Sequence, residues 1–147
     1  MKPQYIKFVG KHPQAEKEKR VYKETPDASW KNYGCSYDEE YFKIDIDDYD
    51  HKTNALDEPI HENPRSEAVL SLLEAQRVKY NAIRTEHGVH LFFKKPSFLE
   101  AKNKINWYCF IGIKMEAKFP ASDDHIPLML NGVERQFIKG SEIGRAS

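Results

Sequence analysis

The chain has 147 residues, 39% hydrophobic, 12% aromatic and 31% charged, with 23 basic side chains balanced by 23 acidic ones. That length suits one domain with a single sizeable core, and the composition is ordinary for a globular protein, with no internal repeat or low-complexity tract. No apolar run approaches the roughly 20 residues of a membrane-spanning helix, and the opening MKPQYIKFVGKHPQ lacks the features of a secretory signal, so a cytoplasmic location without a membrane partner is expected.

In chain order, YIKFVG (5–10) reads as a short first strand, followed by a charged connection to about residue 28. WKNYGCSYD (30–38) alternates well enough for a second strand, and YFKIDID (41–47) is the third. Alternation in the third sends Phe42, Ile44 and Ile46 to one face and Lys43, Asp45 and Asp47 to the other. The acidic segment 48–64 is expected to be a loop. RSEAVLSLLEAQRVKY then reads as a helix with Ser66 as its N-cap and Ala68, Val69, Leu72, Leu73 and Ala75 as its apolar stripe.

NAIRTEHG and VHLFFKKP (81–96) read as a hairpin turning near Gly88, and SFLEAKNKIN (97–106) as a second, shorter helix or a turn. WYCFIGIKMEAKF (107–119) is a long strand or a pair bent at Gly112. SDDH is a turn, and IPLMLNGVERQFI (126–138) carries the hairpin signal Asn131-Gly132. KGSEIGRAS, residues 139–147, reads as a linker or tail after a domain spanning 1–138. The order predicts an α+β domain with a largely antiparallel sheet.

Charge is segregated although it sums to zero. Residues 1–23 carry seven cations against two acids, and residues 38–62 carry ten acids against two lysines. A basic arm beside an acidic centre suits a phosphate-handling site with metal ions at its heart, and equally a solvated surface. Cys35 and Cys109 sit in apolar or aromatic stretches, outside any zinc spacing, and read as buried free thiols.

Three groups carry the chemistry. Asp45 and Asp47, about 6.6 Å apart along one strand face, are spaced to share a pair of divalent cations. Two carboxylates about 4 Å apart repel by roughly 4 kcal/mol at an effective dielectric near 20, so a positive partner or open solvent must offset them. Magnesium suits such a site because it takes a few carboxylates together with substrate phosphates and water. An EF-hand loop from Asp45 fails, with Asp50 where glycine is needed and Leu56 where the bidentate glutamate belongs. His90 opens an apolar strand two residues after Gly88 and can face the aspartates, whereas His87 is expected at the surface. Glu116 lies inside an apolar strand between Lys114 and Lys118, as a metal ligand or as part of a salt-bridge ladder. Trp30 and Trp107 read as core. The basic N-terminal stretch, with Tyr5, Phe8 and Tyr22, suits template phosphates or plain solvation.

In this order, KIDID, RTEHGVH and GIKMEAK resemble the three motifs of the archaeo-eukaryotic primase superfamily, in particular its primase-polymerase branch from phages, plasmids and mobile elements. NYGCSYDEEYFKIDID, with Gly34, resembles the approach to the first motif, and HIPLMLNGVERQFI the stretch after the third. The resemblance spans roughly residues 5–138. It implies a modified RRM-like sheet with flanking helices and an N-terminal αβ unit. It implies a DNA primase and polymerase activity, nucleotidyl transfer from dNTPs or NTPs on a single-stranded DNA template, with two Mg²⁺ or Mn²⁺ ions as cofactors. Asp45, Asp47 and Glu116 would hold the metals. His90 would contact the incoming nucleotide's phosphates, with Arg84 and Lys118 adding positive charge. Glu116 stands where many members have aspartate. A helicase domain commonly follows in such proteins. Two alternatives share the features: a non-catalytic RRM-like module that binds single strands, and a two-metal nuclease.

Overall fold

The computed structural model describes residues 5–16, 19–53, 59–61, 65–96, 105–108, 114–120 and 123–140, with the backbone alone at 49–53, 59–61, 105–108 and 114–116. These residues form a mixed α+β structure of two antiparallel sheets, a two-stranded ribbon and one α-helix. No helix among them is long and apolar enough to cross a membrane.

The larger sheet is built around β4 (Tyr41–Asp47) and β8 (Gly88–Lys94), which pair along their whole length from Tyr41↔Lys94 to Asp47↔Gly88. β7 (Asn81–Thr85), β9 (Ile105–Tyr108), β10 (Lys114–Lys118) and β13 (Phe137–Lys139) complete the order β13-β7-β8-β4-β10-β9. Gly88 permits the tight start of β8, since a Cβ there would lie 1.9 Å from the Ile46 carbonyl oxygen. β13 runs through Lys139, one residue past the expected boundary at 138.

Helix α1 (Arg65–Ala75) covers one face of this sheet. Ile44, Ile46, Val89, Leu91 and Ala82 pack with Val69 and Tyr80, as the alternation of 41–47 predicts, with Leu70 and Leu73 against them. Fully burying an aliphatic side chain of this kind contributes about 1.5–3 kcal/mol. The expected stripe on α1 is rotated: Ser66, Val69, Leu70 and Leu73 face inward, while Leu72 is 43% exposed. The helix also stops before residue 80. Arg77 takes a positive φ of 53°, and Val78 N–H reaches the Leu73 carbonyl while Arg77 N–H reaches that of Glu74, a Schellman ending with arginine in the usual glycine position.

The opposite face meets the second sheet, β12-β11-β3-β1-β2, formed by β1 (Tyr5–Val9), β2 (His12–Pro13), β3 (Tyr33–Cys35), β11 (Ile126–Leu130) and β12 (Val133–Glu134). Phe92 and Ile83 of the larger sheet pack there with Cys35, Tyr37, Ile126 and Leu128. Ile6, Phe8 and Leu130, with Tyr22 against them, form a third cluster. Asn131 (φ 51°) and Gly132 (φ 78°) turn β11 into β12 with both central residues left-handed, as a two-residue hairpin requires.

Other expectations differ. The N-terminal part contributes strands and no α-helix among the described residues, in place of an αβ unit. Within the expected loop 48–64, β5 (Tyr49–Thr53) pairs with β6 (Pro59–His61). Of the expected helix or turn 97–106, residues 97–104 lie outside the described residues, and Ile105–Asn106 begin a strand. Cys109 and the bend at Gly112 also lie outside them. Cys35 is a buried free thiol, as expected.

Candidate functional site

Directly opposed residues of an antiparallel sheet share a face. The register sets Asp45 between His90 on β8 and position 116 on β10, giving a row Glu116–Asp45–His90–Ile83 across four strands. The next row toward the end of β4 holds Asp47, opposite Gly88, and the preceding row holds Lys43, opposite Lys118 and Phe92. This is the face turned away from α1. The second sheet covers its β7–β8 side through Phe92 and Ile83, and a cleft of about 370 Å³ remains beside Asp45, Asp47, His90 and Lys118. That volume falls within the roughly 300–1,000 Å³ of small-ligand sites.

Of the expected site residues, Asp45, Asp47, His90 and Lys118 line this cleft. Glu116 holds the register position opposite Asp45, and its side chain lies outside the described residues. Arg84, expected beside the phosphates, pairs in register with Val89 and so belongs to the helix face, where it bonds Glu67 at 2.8 Å. Asp48 also turns away from the cleft. Its carboxylate accepts from Ser66 N–H (2.7 Å) and Ser66 Oγ–H (2.9 Å), capping α1 from the bend between β4 and β5 in place of the expected Ser66 cap. His87 is half-buried and lines the cleft instead of lying on the surface.

His90 Nε2 stands 3.5 Å from Asp45 Oδ1, and its Nδ1 is buried with no hydrogen-bond partner among the described residues. Burial, with the positive charges of Lys43, Arg135, Lys118 and Lys11, holds its pKa well below the ordinary histidine value, so the ring is neutral at pH 7. One ring nitrogen is then a donor and the other an acceptor.

Sequence reasoning assigned no role to several other residues here. Lys43 is 2% exposed, and its Nζ lies 2.9 Å from Asp124, whose carboxylate also accepts from the Tyr37 hydroxyl at 2.7 Å. Burial lowers the lysine's pKa while Asp124 raises it. Arg20 bonds Asp123. His125 donates from Nδ1 to the Asp123 carbonyl, leaving Nε2 to accept from Tyr22 Oη–H at 2.9 Å. Arg135, brought to the cleft by the segment after β12, is half-buried; burial lowers its pKa against the opposing pull of Glu86 and Asp45. For Asp123, Asp124, His125 and Arg135 the local signal was only charge density in SDDH and NGVERQF.

Among the described residues, no three His, Cys, Asp or Glu side chains converge on a common metal position. Asp45 and Asp47 supply hard carboxylate oxygens in an open cleft with cations around it, a donor set suited to magnesium or manganese with a phosphate-bearing substrate. Compared with known proteins, the chain matches no family model, no curated protein and no solved structure.

Proposed function

We propose that this domain is a metal-dependent nucleotidyltransferase that makes or extends primers on single-stranded DNA, with a modified RRM-like sheet as its platform. The observation that carries the reading is the cross-strand row of Asp45, His90 and position 116 beside a cleft that Lys11, Lys118 and Arg135 also line. Topology supports it. β4 and β7 run parallel with β8 between them and α1 joining them; β8 and β10 run parallel with β4 between them. The strand order β7-β8-β4-β10, with α1 between β4 and β7, is that of a ferredoxin-like, RRM-like sheet, while the described residues between β8 and β10 hold strand β9 and no helix.

In this reading Asp45, Asp47 and Glu116 hold two divalent ions, which when bound acidify the attacking 3′-hydroxyl and neutralise charge at the α-phosphate and pyrophosphate. The chain's own residues bind and orient the substrate. Lys118, Lys11 and Arg135 face the triphosphate electrostatically, with Arg135 taking the part first expected of Arg84. His90, neutral and so carrying a single ring N–H, donates it from Nε2, the nitrogen on the Asp45 side, to a phosphate oxygen without adding a charge to an already crowded site.

The test is incorporation of labelled dNTPs on a primed single-stranded template with Mg²⁺ or Mn²⁺. Asp45→Asn and Asp47→Asn should each lower the rate roughly a hundredfold or more, the scale on which a lost transition-state contact acts. A double variant that extends primers at the wild-type rate overturns the assignment. Nucleotide release without extension points to nuclease chemistry instead.

A further inference from the structure

We propose that the groove on the N-terminal sheet lined by Lys7, Lys19, Lys23 and Trp30 is a docking track for single-stranded nucleic acid leading into the cleft. The inference rests on the nucleotidyltransferase reading for what it feeds, although its binding chemistry stands separately.

The groove encloses about 300 Å³, and its charged lining residues are all lysines. Strand alternation accounts for Lys7: Ile6 and Phe8 are buried beneath β1, so Lys7 between them points outward. Lys23 is set at the sheet edge by paired backbone hydrogen bonds with Tyr5, 2.8 and 2.9 Å long. Its ammonium lies 5.3 Å from the centre of the Trp30 ring, which Tyr33 supports from 6.3 Å. The nearby acid Asp27 is engaged by Ser29 and Lys23. Cations beside a half-buried indole match what an unpaired strand offers: regularly spaced phosphates and bases with exposed π-faces. Duplex DNA keeps its base faces stacked. A base settling on Trp30 displaces the exposed lysine contact and replaces it with stacking, while the ammonium exchanges its exposed 3.4 Å pairing with Asp27 for the adjoining phosphate.

Continuity with the cleft favours this occupant. Lys11, His12 and Pro13 line the cleft, and the next residues, Gln14 and Ala15, line the groove. Arg20 ties this loop to the cleft wall, donating to the Ala15 carbonyl at 3.2 Å and pairing with Asp123. One loop thus lies between the two concavities and contributes residues to both.

Binding of a fluorescein-labelled oligo(dT) to the full chain, followed by anisotropy without divalent metal across a salt series, tests this. Lys7→Glu/Lys19→Glu should weaken binding at least about tenfold and flatten the log–log salt slope by about 1.4, the value for two lost phosphate contacts on a single strand. Trp30→Ala should weaken binding severalfold with little change in slope, and Trp30→Phe should restore part of it. Lys79→Glu/Lys94→Glu, an equal charge change outside the groove, should leave binding near wild type, and unchanged melting temperatures exclude misfolding. Wild-type affinity in Lys7→Glu/Lys19→Glu overturns the proposal, as does equal competition by duplex DNA or polyglutamate. A dNTP-incorporation assay separates the readings: groove-dependent oligo(dT) binding by a wild-type chain that incorporates no dNTP removes the polymerase reading alone. Incorporation with binding indifferent to the groove variants removes the groove alone.

Discussion

Burial beside fixed charge decides what the individual polar residues of this protein can do. His90 is neutral because it is buried among cations, and Lys43 is kept beside Asp124 by a pairing that no short motif encodes. The alternation of 41–47 made the common face of Lys43, Asp45 and Asp47 legible. It could not reveal that Lys43 would be covered while the two aspartates stay in a cleft, because the covering groups arrive from residues 123–125. Arg135 was illegible for the same reason. Tyr80 gives a residue-scale prediction. Burial and its hydrogen bond to Glu74 (2.6 Å) push the phenol up to about 12. Because the folded-state value lies above the ordinary one near 10, this contribution is complete below pH 10 and is lost as pH rises through 12. Tyr80→Phe should therefore cost about 1 kcal/mol at pH 8, and the gap from wild type in urea unfolding should narrow between pH 10 and 12.

Elements with a strong local signature were read correctly: the β7–β8 hairpin, the left-handed Asn131-Gly132 turn, and the apolar face of β4. The failures were elements whose partners are remote. The β5–β6 ribbon hid in an acidic, proline-bearing stretch with little alternation, and α1 rotated so that Ser66, expected as its N-cap, is buried while Leu72 of the expected stripe is exposed. Asp48 explains the rotation, since its carboxylate holds Ser66 inward. Asp48 also divides the aspartate cluster, with Asp45 and Asp47 facing the cleft and Asp48 facing the helix. Asp48→Ala should destabilise the fold by about 1–2 kcal/mol, the cost of a lost cap, read as a lower urea midpoint. On the proposed activity, primer extension measured well below the melting temperature should remain, in contrast to Asp45→Asn.

At the scale of the molecule, the cleft exists because two sheets meet along only part of one face. Phe92 and Ile83 close one side, and the Lys43–Asp124–Tyr37 cluster ties the sheets where the cleft begins. Removing the lysine strands a carboxylate whose side chain is only 12% exposed. Lys43→Met should cost about 3 kcal/mol or more, and adding Asp124→Asn should recover part of it, a coupling that a double-mutant cycle in urea measures.

β3 pairs with β1 on one side and with β11 on the other. During synthesis from the N-terminus, its second edge therefore waits for residues 126–130 while the whole larger-sheet core between them is being made. A nascent chain halted before that point carries an unpaired strand edge, open to pairing with other chains. These late strands thus complete one wall of the cleft and also remove a route to aggregation.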